Sequence, residues 1–145
     1  MQLTRYSDLS LRVLIYLAVR PHALATVEEI AGAYGISRAH LMKVVHQLGR
    51  GGFLETVRGR GGGFRLAREP AEIAVGEVVR YCEGSMKLVE CFDPTTSQCR
   101  IEPACGLRGV LEEALDAFLA SLDRYTLEDL VARRRRPLDR LLEVS

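Results

Sequence analysis

Between Thr26 and Ala67 the chain carries two short amphipathic segments joined by a glycine turn, with a glycine-rich basic hairpin directly behind them. Few folds accommodate that order. Thr26-Val27-Glu28-Glu29 is a capping box: the Thr side chain and the Glu three residues on satisfy each other's free backbone donors. Val27, Ile30, Ala31 and Tyr34 then recur at i, i+3, i+4 and i+7, which makes one buried stripe. Gly35 suits the left-handed residue that closes such a helix. Ser37 caps the next, where Leu41, Val44, Val45 and Leu48 repeat the stripe until Gly51-Gly52 stops it. Ahead of both, residues 8–20 read as a largely buried helix capped by Ser7 or Asp8 and ended by Pro21. Behind both, Phe53–Val57 and Phe64–Ala67 alternate around the tip Arg58-Gly59-Arg60-Gly61-Gly62-Gly63, a β-hairpin signal. Helices joined by Tyr34-Gly35-Ile36-Ser37 and followed by a hairpin predict a mainly α fold: a winged helix-turn-helix with a small two-stranded wing. The tip lacks the G-x-x-x-x-G-K-[ST] order of a phosphate loop.

The start of a recognition helix enters the major groove. Ser37, Arg38 and His40 lie in that first turn, and Lys43, His46 and Arg50 lie opposite the apolar stripe, with Gln47 at its margin. Ser and Lys hold phosphates, whereas Arg, Gln and His read base edges. Arg58 and Arg60 supply charge for a minor groove, and wing glycines allow close backbone approach. The residues expected at DNA are therefore Thr26, Ser37, Arg38, His40, Lys43, Gln47, Arg58, Arg60 and Gly61. An ordinary solvated helix face is the bland alternative, and the adjoining wing weighs against it.

A net charge of +1 over 145 residues hides a split. Residues 1–70 carry ten Lys/Arg and five Asp/Glu; residues 71–132 carry five and twelve; residues 133–145 carry five and two. The segment charges are thus +5, −7 and +3. A basic half before an acidic one points to a polyanion-binding part joined to a part with another task. All four cysteines, Cys82, Cys91, Cys99 and Cys105, fall in the acidic segment. In a chain without an export signal, clustered cysteines indicate metal or redox chemistry more often than disulfides. The longest apolar run, Val13 to Val19, is seven residues and spans no membrane. Arg20-Pro21-His22 behind it speaks against export, so a cytoplasmic location is expected.

Cys91, Cys99 and Cys105 sit in an irregular stretch, residues 84–106, after a short connecting helix at 75–82. Their gaps of seven and five residues match neither the C-x-x-C of zinc modules nor a ferredoxin run. The spacing allows one soft metal centre without naming the metal, and Cys82 reads as a small buried residue. From Leu107 a long helix carries one apolar stripe: Leu107, Val110, Leu111, Ala114, Leu115, Phe118, Leu119 and Leu122. A free amphipathic helix on a small DNA-binding protein usually serves dimerisation, because paired half-sites multiply affinity, and packing against its own domain is the alternative that can share the stripe. The expected organisation is a DNA-binding domain at 1–75, connecting helix and cysteine loop at 76–106, dimerisation helix at 107–132 and a solvated basic tail at 133–145. No nucleophile–base pair or paired catalytic carboxylates emerge, so no enzyme is expected.

Several stretches carry a resemblance. Met1 to Asp8, Tyr34 to Val45, the Val57–Gly63 wing and Leu122 to Leu130 are similar to NsrR-type nitric-oxide-sensing repressors. These belong to the iron–sulfur winged-helix family that also includes IscR. The resemblance covers about residues 1–131. It implies a homodimeric repressor of a palindromic operator, with an iron–sulfur cluster (4Fe–4S ahead of 2Fe–2S) as cofactor and nitric oxide as signal. It implies Cys91, Cys99 and Cys105 as ligands, with Asp8 from the other subunit as the fourth. A cap on the first helix, or a pair with Arg12 one turn on, is the local reading of Asp8. IscR-like members place a histidine three residues after the last cysteine, where this chain has Arg108. An IscR-like regulator of cluster supply and a zinc-bound or cluster-free winged-helix repressor are the alternatives.

Overall fold

The computed structural model describes residues 1–143. Nine of the fifteen residues of helix α1 (Arg5–Val19) are buried, and it forms the spine. Its cap is Thr4, whose Oγ1 accepts from the Ser7 amide at 3.2 Å. The helix thus starts a turn earlier than Ser7 or Asp8 as cap would place it. Ser7 is buried and turned inward, which makes it useless as a cap. Helices α2 (Val27–Tyr34) and α3 (Arg38–Arg50) follow, with the expected capping box on Thr26 and the Ser37 cap. Gly35 closes α2 at φ +64°, a left-handed conformation that glycine adopts without steric cost. Ile30, Leu41, Val44 and Leu48 enter the core, while Val45 stays at its edge.

Strands β1 (Leu54–Val57) and β2 (Gly63–Leu66) pair antiparallel, Leu54 opposite Leu66 and Val57 opposite Gly63. Leu54, Phe64 and Leu66 supply the buried side of this hairpin. Ala25, just ahead of α2, bridges Phe64 through paired backbone hydrogen bonds of 2.9 Å. That bridge fixes the hairpin to the helix-turn-helix.

Helix α4 (Val75–Glu83) buries Val75, Gly76, Val78 and Val79. Two single 3-10 turns, Glu90–Phe92 and Glu102–Ala104, interrupt the irregular stretch that follows. Helix α5 (Leu107–Asp123) has no buried residue along its seventeen positions. The expected 107–132 helix breaks after Asp123, because the Tyr125 carbonyl and Leu127 amide bond back to Val75 and Ile73 at 2.8 and 3.0 Å. A second capping box, on Thr126, then starts α6 (Leu127–Val131), whose Leu127 and Val131 are fully buried in the core.

The segment at 133–145, expected as a solvated tail, contains helix α7 (Arg135–Leu142). Leu142 is buried and Leu138 packs on the core. Arg135 donates to the Ala18 and Val19 carbonyls, which lack helical partners at the end of α1, and pairs with Glu128 at 3.2 Å. Arg20 pairs with Asp139 at 3.4 Å. The arginine run therefore conceals a docking helix; residues 144–145 of that segment lie outside the described residues. One hydrophobic core, from Leu9 to Leu142, unites the helix-turn-helix, α6 and α7.

Candidate nucleic-acid interface and cysteine loop

Burial of Leu41, Val44 and Leu48 turns the rest of α3 outward. Arg38, His40, Lys43 and Gln47 are all exposed on it. Ser37 Oγ accepts from the His40 amide at 3.5 Å, and Thr26 Oγ1 accepts from the Glu29 amide at 3.2 Å. Each hydroxyl keeps its own proton, so both capping residues can still donate to a phosphate. Arg38 Nε pairs with Glu28 at 2.6 Å, a contact more than half exposed on both sides. The Glu28 carboxyl is lowered, first by a backbone hydrogen bond at its own position and then by Arg38. Exposed pairs of this kind are weak, so Arg38 can exchange Glu28 for DNA at little cost.

The wing tip holds Arg58 and Arg60 in solvent. Gly61 has φ +74°, and a Cβ at Gly62 would overlap the Val57 carbonyl oxygen. The turn that projects the two arginines thus depends on glycine. Arg65 and Glu55 pair across the strands at 2.5 Å, which leaves the tip arginines as the wing's free cations among the described residues. Arg58→Ala and Arg60→Ala should each weaken DNA binding across sequences. Each should also lower the slope of log affinity against log salt by about 0.9 for every phosphate that is no longer neutralised. A salt titration by fluorescence anisotropy reads this, and an unaltered slope would remove the wing from the interface.

The cysteine loop runs from α4 to α5. Cys91 is buried in the turn Glu90–Phe92, Cys99 and Cys105 are half-buried, and all are free thiols. Lys87 and Thr95 converge on Asp93 at 2.5 and 2.6 Å, and these contacts hold its carboxyl well below the usual range. Arg108, at the head of α5, bonds Glu112 at 2.9 Å and Glu102 at 3.4 Å. Its pKa is raised, first by the Glu112 hydrogen bond, with attraction to Cys91 among the further causes. Among the described residues no group of three or more His, Cys, Asp or Glu gathers at metal-holding range. One chain therefore gathers Cys91, Cys99 and Cys105 into no metal-holding group, with or without Asp8. Asp8 instead pairs with Arg12 at 2.9 Å, both side chains about half exposed, as the local reading of its spacing expects.

The donor chemistry nonetheless fits a soft metal group. Three unpaired thiols share one loop of little regular structure, which can close on a metal as binding deprotonates them. Cys82 differs. Burial raises its thiol pKa, although the neighbouring Ser10 and Tyr6 hydroxyls oppose the shift. It sits on α4 and packs against the core, outside the loop that carries the other three.

Two features escaped the sequence. Arg80 makes a bidentate pair with Asp123 at 2.5 and 2.8 Å, which joins α4 to α5. Tyr81 donates to the Gln47 carbonyl at 2.6 Å, which joins α4 to α3. Both bonds cross more than thirty residues, and only the aromatic off the apolar stripe of α4 hinted at the second.

The Rrf2 family model, described as an iron-dependent transcriptional regulator, matches residues 3–133. The HTH-type transcriptional regulator NsrR of Bacillus subtilis is 55% identical over 135 residues, covering 92% of each chain. The regulator of the same name from Shouchella clausii is 54% identical over 132 residues, covering 90% of this chain and 89% of the relative. Among solved structures, CymR, described as the global cysteine regulator of B. subtilis, superposes with a TM-score of 0.73 at 26% identity, covering 92% of this chain and 98% of that one. IscR of T. potens superposes at 0.72 with 27% identity, covering 92% and 88%.

Proposed function

Since the chain belongs to the Rrf2 family of iron-dependent transcriptional regulators, we propose that it is a homodimeric repressor that senses nitric oxide through an iron–sulfur cluster. It is a DNA-binding transcriptional regulator, and its relatives are regulators, not enzymes. The observation that carries the reading is the placement of three free thiols on one loop between α4 and an α5 with no buried residue. No described helix is long and apolar enough to cross a membrane, and a DNA partner puts the protein in the cytoplasm.

Cys91, Cys99 and Cys105 would hold the cluster, with Asp8 from the second copy as fourth ligand. When bound, the cluster supplies an iron open to a small ligand such as nitric oxide, because a carboxylate holds soft iron weakly. Asp8 reaches the partner's loop by giving up Arg12. In that state α1 of one copy is joined to the cysteine loop of the other, and the spacing of the two recognition helices is fixed to a palindromic operator. When Asp8 returns to Arg12 the spacing relaxes and the DNA-competent state is depopulated.

The test is an anaerobic visible spectrum with iron and sulfide counts, then affinity for a duplex selected by the chain from a random library, before and after stoichiometric nitric oxide. Iron, sulfide and a loss of affinity with nitric oxide are expected. No iron after reconstitution removes the sensor, zinc in its place supports a structural metal, and unchanged affinity removes the switch.

A further inference from the structure

The last turn of α4 touches three other elements through three neighbouring residues. Arg80 holds Asp123 of α5 in the bidentate pair already described. A Cβ at Gly76 would overlap that same Asp123 carboxylate, so the two helices lie flush. Tyr81 lies over the end of the recognition helix. Its hydroxyl donates to the Gln47 carbonyl at 2.6 Å, its ring would lie 2.6 Å from a Cβ at Gly51, and it meets Phe53 edge-on at 5.3 Å. Gln47 is itself among the residues expected at DNA, and its carbonyl already accepts from the Gly51 amide at 3.0 Å, so the Tyr81 hydroxyl takes its second lone pair. Glu83 reaches the opposite way. One carboxylate oxygen accepts from the Thr4 amide at 2.7 Å, from Thr4 Oγ1 at 3.1 Å and from Ser7 Oγ at 2.5 Å. Burial opposes this charge, but the Ser7 and Thr4 hydrogen bonds prevail and lower its pKa. Those donors form the first turn of α1, which also bears Asp8.

We propose that Tyr81 and Glu83 are positioning residues that join the first turn of α1 to the C-terminal end of the recognition helix. Residues two apart on a helix point about 200° from one another, so one short turn can grip both elements at once. Its other face is buried, so α4 passes on a shift at either end. The link sets the pose of α3 on DNA whether or not a metal is bound. Beside the proposed sensing mechanism, it supplies the route by which the Asp8 turn reaches α3.

The test uses the full-length chain without metal and two readouts. The first is affinity for the selected duplex in Tyr81→Phe, Glu83→Gln and the double variant. Tyr81→Phe keeps the ring and removes only the donating hydroxyl, so the fold survives. Each single change should lower affinity about five-fold, the worth of one hydrogen bond, and the double should lower it little further, because either break severs the same link. Two independent structural defects would multiply instead. The second readout is amide exchange at the C-terminal end of α3, which Glu83→Gln should speed although the hydrogen bonds of Glu83 run to Thr4 and Ser7. Multiplicative losses, unchanged affinity, or unchanged exchange in Glu83→Gln would overturn the link. A chain that binds no iron would sink the sensor reading and leave the link standing.

Discussion

A chain carrying Val110→Glu and Ala114→Glu together is expected to fold and to sediment as a monomer. Its operator affinity should fall by on the order of 100- to 10,000-fold, the usual gain from linking two binding events. The expectation comes from how little of α5 its own chain covers. Val110 is 61% and Leu107 58% exposed, although both sit on the apolar stripe. Leu115 and Phe118 line an open cavity of ≈ 550 Å³ with Met1, Leu3, Met86 and Leu88. A monomer would leave that stripe in water, and contiguous exposed apolar surface on this scale marks an interface. In a twofold dimer the same stripe meets itself, so each glutamate introduced faces apolar side chains and, across the axis, like charge. Glutamate is a good helix former, and neither position is buried within the chain, so thermal stability of the single chain should barely move. Sedimentation together with anisotropy on duplexes of one and two half-sites reads both effects. A variant that remains dimeric with full affinity would place the interface elsewhere.

How much of this was legible before the structure follows from the range of each interaction. The capping box on Thr26, the Gly35 turn and the Ser37 cap are satisfied within four residues, so their sequence states them outright, whereas the equally local box on Thr126 was read as a continuation of α5. The wing turn is local at Gly62, whose Cβ would meet the Val57 and Gly59 carbonyls, but Gly63 answers to the distant Ala25 backbone. The Thr4 cap was missed although its bond is local, because Ser7 and Asp8 compete with it on residue type and only tertiary contact buries Ser7 against Glu83. Helix α7 was missed because four consecutive arginines mask the Leu138–Leu142 spacing, and the carbonyls that Arg135 caps lie 116 and 117 residues away. The exposed stripe of α5 was readable as a helix face, but the break at Tyr125 was not, since a bridge to residues 73–75 makes it. The candidate ligands divide the same way. Three cysteines on one loop are a sequence fact, whereas a fourth ligand from a second copy would leave no trace in the geometry of one chain, where Arg12 engages both Asp8 carboxylate oxygens at 2.9 and 3.2 Å.

Cys91→Ser, Cys99→Ser and Cys105→Ser should each purify without visible absorption or stoichiometric iron and should bind operator identically with and without nitric oxide. Cys82→Ser should keep the spectrum and the response. Serine is the right probe because it is nearly isosteric, yet its hydroxyl is a hard donor that stays protonated near neutral pH, so it replaces the shape of the thiol without its affinity for soft iron. The contrast with Cys82 has a physical basis. Cys82 lies on α4, outside the loop and packed against the core beside Tyr6, and burial raises its thiol pKa. Cys91, Cys99 and Cys105 share a loop whose backbone is held by short turns alone, free to close. Asp8→Ala completes the set and separates the two roles of that carboxylate. If Asp8 only braces α1 through Arg12, its loss removes one exposed ion pair, worth well under about 1 kcal/mol, and leaves the spectrum untouched. As a ligand from the second copy, it should shift the spectrum and alter the nitric-oxide response while iron stays bound by three thiolates. An untouched spectrum and response in Asp8→Ala would leave the cysteines as the whole site and transfer the fourth position to a ligand outside the protein.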